Sequence, residues 1–253
     1  MNAQLDGKIA IVTGAGQGIG EAIARRFVED GAKVVVSDVN AENAENVAAS
    51  LPGSIAVKCD VSNEDEVAAL VAAATSHFGS LNVMVNNAGI VMPAPVVATP
   101  FEDWRKVMGI NLDGVFLGIK HAAPAIAAAG GGAIVNTASI KAYGGLPASA
   151  SYSASKAAIV SLTKTAALEL RHLNVRVNAL CPGYINTEMV AGLADDFKEI
   201  TGIDVGEYVT HIQGRLGEAH EIAAVAAFLA SDRSRFINAA PIVVDGGAIA
   251  SLL

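Results

Sequence analysis

The sequence predicts an α/β fold, one domain over residues 1–253 with helices on both faces of a parallel sheet. Three observations carry this. Short β-branched runs at residues 9–12, 33–36, 55–58, 83–85, 133–137, 175–180 and 242–244 are mostly continuously apolar, the pattern of strands covered on both faces. Helical spacing fills the intervals: Ile19, Ile23 and Phe27 recur every fourth position, and residues 64–78 carry Val67, Leu70, Val71 and Ala74 on one stripe. Strands separated by helices pair in parallel through right-handed crossovers, which gives three layers, and no Pro/Ser-rich linker, charge run or repeat divides the chain.

Hydrophobic residues make up 52% and charged residues 17%, which excludes a disordered chain. Aromatics are only 5%, so Ala, Val, Ile and Leu must build the core. A net charge of −8 argues against nucleic acid or an anionic membrane as partner. Cys59 and Cys181 form no CxxC pair and read as buried thiols of a reducing compartment. Residues 1–8 lack the apolar stretch of a signal peptide, and the longest apolar run in the last third, residues 222–230, is too short to span a bilayer. The expectation is a cytoplasmic protein. The five histidines show no HExxH or other tight ligand spacing, so no metal is expected.

The first strand leads directly into Thr13-Gly14-Ala15-Gly16-Gln17-Gly18-Ile19-Gly20, which opens the first helix. Glycines at this spacing permit a tight turn and let a pyrophosphate approach backbone N–H groups at a helix N-terminus. Alone, the same run is also an ordinary flexible loop. Asp38 ends the second strand eighteen residues beyond Gly20. A carboxylate there accepts hydrogen bonds from both hydroxyls of an adenosine ribose and repels a 2′-phosphate, which favours NAD over NADP. Its neighbours Gln17 and Val39 supply no compensating cation. Alone, Asp38 is equally a helix cap or turn residue.

Tyr152-Ser153-Ala154-Ser155-Lys156 begins a long helical stretch, and positions i and i+4 share a helix face. A phenol ordinarily titrates near ~10, and an adjacent ammonium lowers that value by stabilising the phenolate, as a proton donor/acceptor for a carbonyl requires. Ser139 closes the fifth strand at its carboxyl end, where ligands bind in open α/β sheets, and can hydrogen-bond the same substrate oxygen. Each feature alone also fits a plain surface pair or turn.

Residues 13–20, Asn86-Asn87-Ala88-Gly89, Asn111, Ser139, Tyr152-x3-Lys156 and Pro182-Gly183 stand in the order and spacing of the short-chain dehydrogenase/reductase family, which the chain resembles from Gly7 to Gly247. The resemblance implies a Rossmann-type, doubly wound seven-stranded sheet, NAD(P)-dependent alcohol–ketone interconversion and a homotetramer. It implies that Tyr152 is the acid/base, that Lys156 lowers its pKa and binds the nicotinamide ribose, that Ser139 orients the substrate oxygen, and that Asn111 disturbs a helix and holds a water. Gly14, Gln17, Gly18, Ile19 and Gly20 would hold the pyrophosphate side, Asp38 and Val39 the ribose, and Asp60 with Val61 the adenine. Asn87, Ala88 and Gly89 would line the cofactor channel, and Pro182, Gly183, Ile185 and Thr187 would face the nicotinamide. One departure stands out: relatives usually carry Thr-Gly before the last strand, where this chain has Asn238-Ala239-Ala240-Pro241.

Within the family, the rival is a 3-oxoacyl-carrier-protein reductase, against which Asp38 and the negative charge count. Outside catalysis, a non-catalytic NAD-sensing regulator would be expected to lose Tyr152 or Lys156, and both are present.

Residues 184–213 follow a strand without a clean period and are too long for an ordinary connection, so they read as a substrate lid or as two surface helices. They hold six carboxylates and only one Lys or Arg, Lys198. The facing segments Ile90-Val91-Met92 and Gly144-Gly145-Leu146-Pro147 are uncharged, while Lys141 and His211 read as exposed loop positions. The expected substrate is a neutral, mainly apolar secondary alcohol or ketone.

Overall fold

The computed structural model describes residues 4–250. Seven parallel strands, β1 (Ile9–Thr13), β2 (Lys33–Asp38), β3 (Ile55–Lys58), β4 (Val83–Asn86), β5 (Gly132–Thr137), β6 (Val175–Pro182) and β7 (Pro241–Val244), form one sheet in the order β3-β2-β1-β4-β5-β6-β7. The apolar runs of the sequence are these strands. Side chains alternate between the faces, and each face carries its own core. Ile11, Val35, Met84 and Ile134 enter one layer, with α3 (Glu64–Phe78), α5 (Gly114–Ala128) and α6 (Ala150–Leu170). Ala10, Val12, Val34, Val36, Val83 and Val85 enter the other, with α1 (Gly18–Glu29), α2 (Ala41–Ala49) and α9 (Ala219–Ala230). Both sides of the central strands are therefore dry, which is why strict polar–apolar alternation is missing from them, while the edge strands β3 and β7 are only partly buried.

The helices start where the sequence supplies caps. The Asn40 side chain accepts from the Asn43 N–H at α2, Asn63 accepts from Asp65 and Glu66 at α3, and Glu218 and Glu221 form a capping box at α9. The stretch around Asn111 is not one continuous helix. A π-helical turn, Gly109–Asp113, joins α4 (Phe101–Met108) to α5. Residues 184–213 become α7 (Glu188–Thr201) and α8 (Val205–Gln213).

The departure before β7 has a backbone consequence. Ala239 is left-handed, with φ 61°, while its N–H bonds the Val177 carbonyl at 2.9 Å. Among the described residues no helix is long and apolar enough to cross a membrane.

Candidate active site

The strand order reverses direction between β1 and β4, so the crevice beyond their carboxyl ends is the fold's natural ligand site. Side chains tie these two ends together. Thr13 Oγ1 accepts from the N–H groups of Asn87 (3.0 Å) and Ala88 (3.2 Å), while Asn87 Nδ2 donates to the carbonyls of Thr13 (3.0 Å) and Gly14 (3.2 Å). A Cβ on Gly20 would collide with the Gly14 carbonyl and the Asn87 carboxamide, so this approach requires glycine. Gln17, the residue before α1, makes no side-chain cap bond, leaving the helix N-terminus open to an anion.

A cleft of about 580 Å³ occupies this crevice. All the cofactor-site residues expected from the sequence line it, among them Gly14, Asp38, Lys156, Pro182 and Thr187. Asp38 does double duty: its carboxylate accepts from the Gly16 N–H and, as a turn residue, from the Asn40 N–H, both at 3.0 Å. Each oxygen keeps a further lone pair for a ligand hydroxyl. The cleft is also lined by Cys59, Lys106, Ile110 and Thr137, which the motif reading missed.

Ser139, Tyr152 and Lys156 line the cleft on two elements, and Asn111 lies outside its wall on a third. Ser139 caps the turn after β5, 6% exposed, and its Oγ accepts from the Lys141 N–H at 3.2 Å. Tyr152 and Lys156 lie one turn apart on α6. The Lys156 ammonium, 3% exposed, donates to the Thr137 carbonyl at 2.8 Å and lies 5.4 Å from the Tyr152 ring centroid. Asn111, fully buried, is absent from the cleft wall: its Oδ1 accepts from the Ile90 N–H (2.8 Å), and its Nδ2 donates to the Ile90 carbonyl (2.9 Å) and to Ser155 Oγ (3.1 Å). The π-helical turn thus anchors the loop after β4. A Cβ on Gly89 would sit 3.3 Å from Asn111 Oδ1 and 3.5 Å from Lys156 Nζ, so glycine preserves the space between them.

Burial pushes the Tyr152 phenol up, opposed by a hydrogen bond with Ser139, and burial lowers Lys156 to about 8. The Lys156 ammonium is bonded to the Thr137 carbonyl, and desolvation is the largest influence on both groups.

A second pocket, about 110 Å³, shares Ser139, Tyr152, Gly183, Met189 and Val190 with the cleft. Its remaining wall is mainly apolar, including Val91, Leu146, Phe197 and Val205. Helices α7 and α8 cover it, and their ends are fastened: Gln213 Oε1 accepts from the Tyr184 N–H (2.9 Å) and Gln213 Nε2 donates to the Tyr184 carbonyl (2.8 Å). His211 is exposed as expected. Lys141 is not. It is half-buried in the pocket wall, its Nζ 5.0 Å from the Tyr184 ring centroid and 5.9 Å from that of Tyr208. A cation therefore stands where an uncharged wall was expected. The rings that enclose it come from the β6–α7 loop and α8, which no local pattern around Lys141 could reveal.

The family model described as Enoyl-(Acyl carrier protein) reductase matches residues 14–248. The chain is 41% identical to a meso-2,3-butanediol dehydrogenase of Serratia marcescens, covering 98% of this chain and 97% of that one. It is 45% identical to a cis-4-hydroxycyclohexanecarboxylate dehydrogenase of Sinomonas cyclohexanicum, covering 95% and 96%. It is 40% identical to an NADP-dependent (R)-specific alcohol dehydrogenase of Lentilactobacillus kefiri, covering 98% of each. A crystal structure of a short-chain type dehydrogenase/reductase from Mycobacterium marinum superposes with a TM-score of 0.91 at 34% identity, covering 98% of each chain. With the parallel seven-stranded sheet and the glycine turn at its switch point, these similarities establish the chain as an enzyme of the short-chain dehydrogenase/reductase family, whose members use a nicotinamide cofactor.

Proposed function

We propose that this enzyme interconverts a secondary alcohol and its ketone with NAD(H), using Tyr152 as the acid/base. The observation that carries the reading is the junction of the two cavities at Ser139 and Tyr152, where one molecule in the cleft and another in the pocket meet beside a proton-bearing phenol. The cleft suits a dinucleotide: its glycine turn excludes any Cβ at Gly20, and its far end presents the Asp38 carboxylate. Bound there, the nicotinamide supplies hydride transfer. Tyr152 gives a proton to the ketone oxygen, or takes one from the alcohol, while Ser139 hydrogen-bonds the same oxygen and holds it against the phenol. Lys156 binds the nicotinamide ribose and Asn111 braces the loop after β4 behind it. Asp38 favours NAD, in contrast to the NADP-dependent relative.

The names of the relatives, a diol dehydrogenase and a cyclic hydroxy acid dehydrogenase, support a secondary alcohol with a compact apolar body. The same reading takes residues 1–253 as one catalytic domain, α7–α8 as the substrate lid, and the enzyme as a cytoplasmic homotetramer. Exposed Phe101, Phe116 and Leu168 on α4, α5 and α6 support association. A panel of secondary alcohols and ketones, followed by absorbance of the reduced nicotinamide, tests the activity. Turnover with NAD and weak turnover with NADP is expected; no turnover of any member contradicts the reading.

A further inference from the structure

The small pocket combines two chemistries in its wall. Ser139 and Tyr152 line it, and so does Lys141, two residues beyond Ser139 on the short helical turn Ile140–Ala142. Between and around them the wall is apolar, and the pocket is lined by no Asp or Glu. Among the described residues the Lys141 ammonium forms no salt bridge, and no acceptor lies within hydrogen-bonding distance of it; its neighbours are the rings of Tyr184 and Tyr208. This contrasts with Lys198 on the outer face of α7, which is paired with Asp204 at 3.0 Å. The Tyr184 hydroxyl is also buried without a hydrogen-bond partner among the described residues.

A buried hydroxyl without a partner is costly, and a half-buried cation without an anion is only partly compensated, unless a ligand satisfies them. Two aromatic faces stabilise an ammonium, but they leave its N–H donors unspent. Burial accordingly lowers Lys141 to about 8, which leaves it mainly charged at neutral pH. The complement is an anion with acceptor oxygens, separated from the reacting carbon by an apolar body.

We propose that Lys141, with the Tyr184 hydroxyl, binds a carboxylate on the substrate, so that the preferred substrate is a compact hydroxy acid with an apolar body. This rests on the alcohol–ketone reading above and names the substrate class within it. The apolar wall takes the carbon body, Tyr152 takes the hydroxyl, and the charge of Lys141 selects acid over neutral analogue. A phosphate finds only this single cation in the pocket, and the enclosed apolar wall disfavours its larger, more strongly hydrated group.

The test uses the full chain with NAD and matched pairs: cis- and trans-4-hydroxycyclohexanecarboxylate against the corresponding carboxamides, with cyclohexanol alongside. In the wild type the better acid isomer is expected to exceed its amide at least tenfold in kcat/KM, through a lower KM. Lys141→Met is expected to reduce that acid-to-amide ratio at least tenfold, Lys141→Arg to keep most of it, and Tyr184→Phe to reduce it less than Lys141→Met. Binding of cyclohexanecarboxylate, measured by calorimetry with NAD present, is expected to weaken at least tenfold in Lys141→Met while NADH binding stays unchanged. An acid-to-amide ratio near one in the wild type, or a ratio that Lys141→Met leaves unaltered, overturns the inference while the alcohol–ketone reading stands. Failure to oxidise any of these alcohols, or any of the wider panel, overturns both.

Discussion

Lys156 follows Tyr152 by one helical turn, but its ammonium lies 5.4 Å from the tyrosine ring centroid and is held by the Thr137 carbonyl at 2.8 Å. The pair is thus organised around the end of β5 rather than around a direct contact with the phenol.

That placement has a measurable consequence for stability. Lys156 stands at about 8 in the fold against 10.5 ordinarily, because burial disfavours the charge. The unfolded chain therefore holds this proton more tightly, and the cost of burying it is present in full below pH 8 and disappears as pH rises towards about 10.5. Lys156→Met is predicted to show its most favourable Tm relative to wild type below pH 8, with the difference shifting towards the wild type as pH rises to 10. A difference independent of pH contradicts this.

Asp38 is predicted to set cofactor choice. A 2′-phosphate beside this carboxylate meets like charge and loses charge-assisted hydrogen bonds of ~1.5–3 kcal/mol each, which gives at least tenfold discrimination. The ratio of kcat/KM for NADH over NADPH should exceed ten in the wild type and narrow in Asp38→Asn, which keeps one acceptor oxygen for the turn. Comparable values in the wild type contradict the assignment.

The same residues show what the sequence made legible. Continuous apolar runs became strands because both faces are covered, and the glycine turn and Asp38 converged because β1 and β2 are neighbours in register, Thr13 beside Ser37. Those inferences needed only local pattern and parallel pairing. Lys141 did not yield to them: its environment is made by Tyr184 and Tyr208, distant in sequence, and residue type alone reads as surface. The π-helical turn at Gly109–Asp113 is the helix disturbance at Asn111 that the family resemblance implied, whereas the bonds of Asn111 to Ile90 and Ser155 across the fold lay outside any local pattern.

Gly20→Ala is predicted to damage both fold and cofactor binding. The added methyl collides with the Gly14 carbonyl and the Asn87 carboxamide, so either the turn opens or Asn87 leaves the β1 terminus. Overpacking of this kind costs roughly 1–3 kcal/mol, a Tm loss of roughly 2–10 °C for a chain of this size. Gly144→Ala is the control, with nothing within 4 Å of the new methyl and no change expected. Equal melting of both variants contradicts the close-approach argument.

Ala239→Gly is predicted to stabilise the enzyme. A left-handed alanine costs roughly 1–2 kcal/mol, and the extra freedom glycine brings to the unfolded chain returns only part of that. A Tm rise of about 1–3 °C is expected by calorimetry. A fall would show that the Ala239 methyl contributes packing that outweighs its backbone strain.

The most direct test of the central claim is Tyr152→Phe, measured for both kcat and NADH affinity with an alcohol the wild type oxidises. The substitution removes one hydroxyl and keeps the ring. Loss of a general acid–base group costs roughly 10²–10⁴-fold in rate. A kcat at least a hundredfold lower is expected, with NADH binding, read by cofactor fluorescence, within about twofold of wild type. A variant retaining more than half of the wild-type kcat would contradict the role of Tyr152.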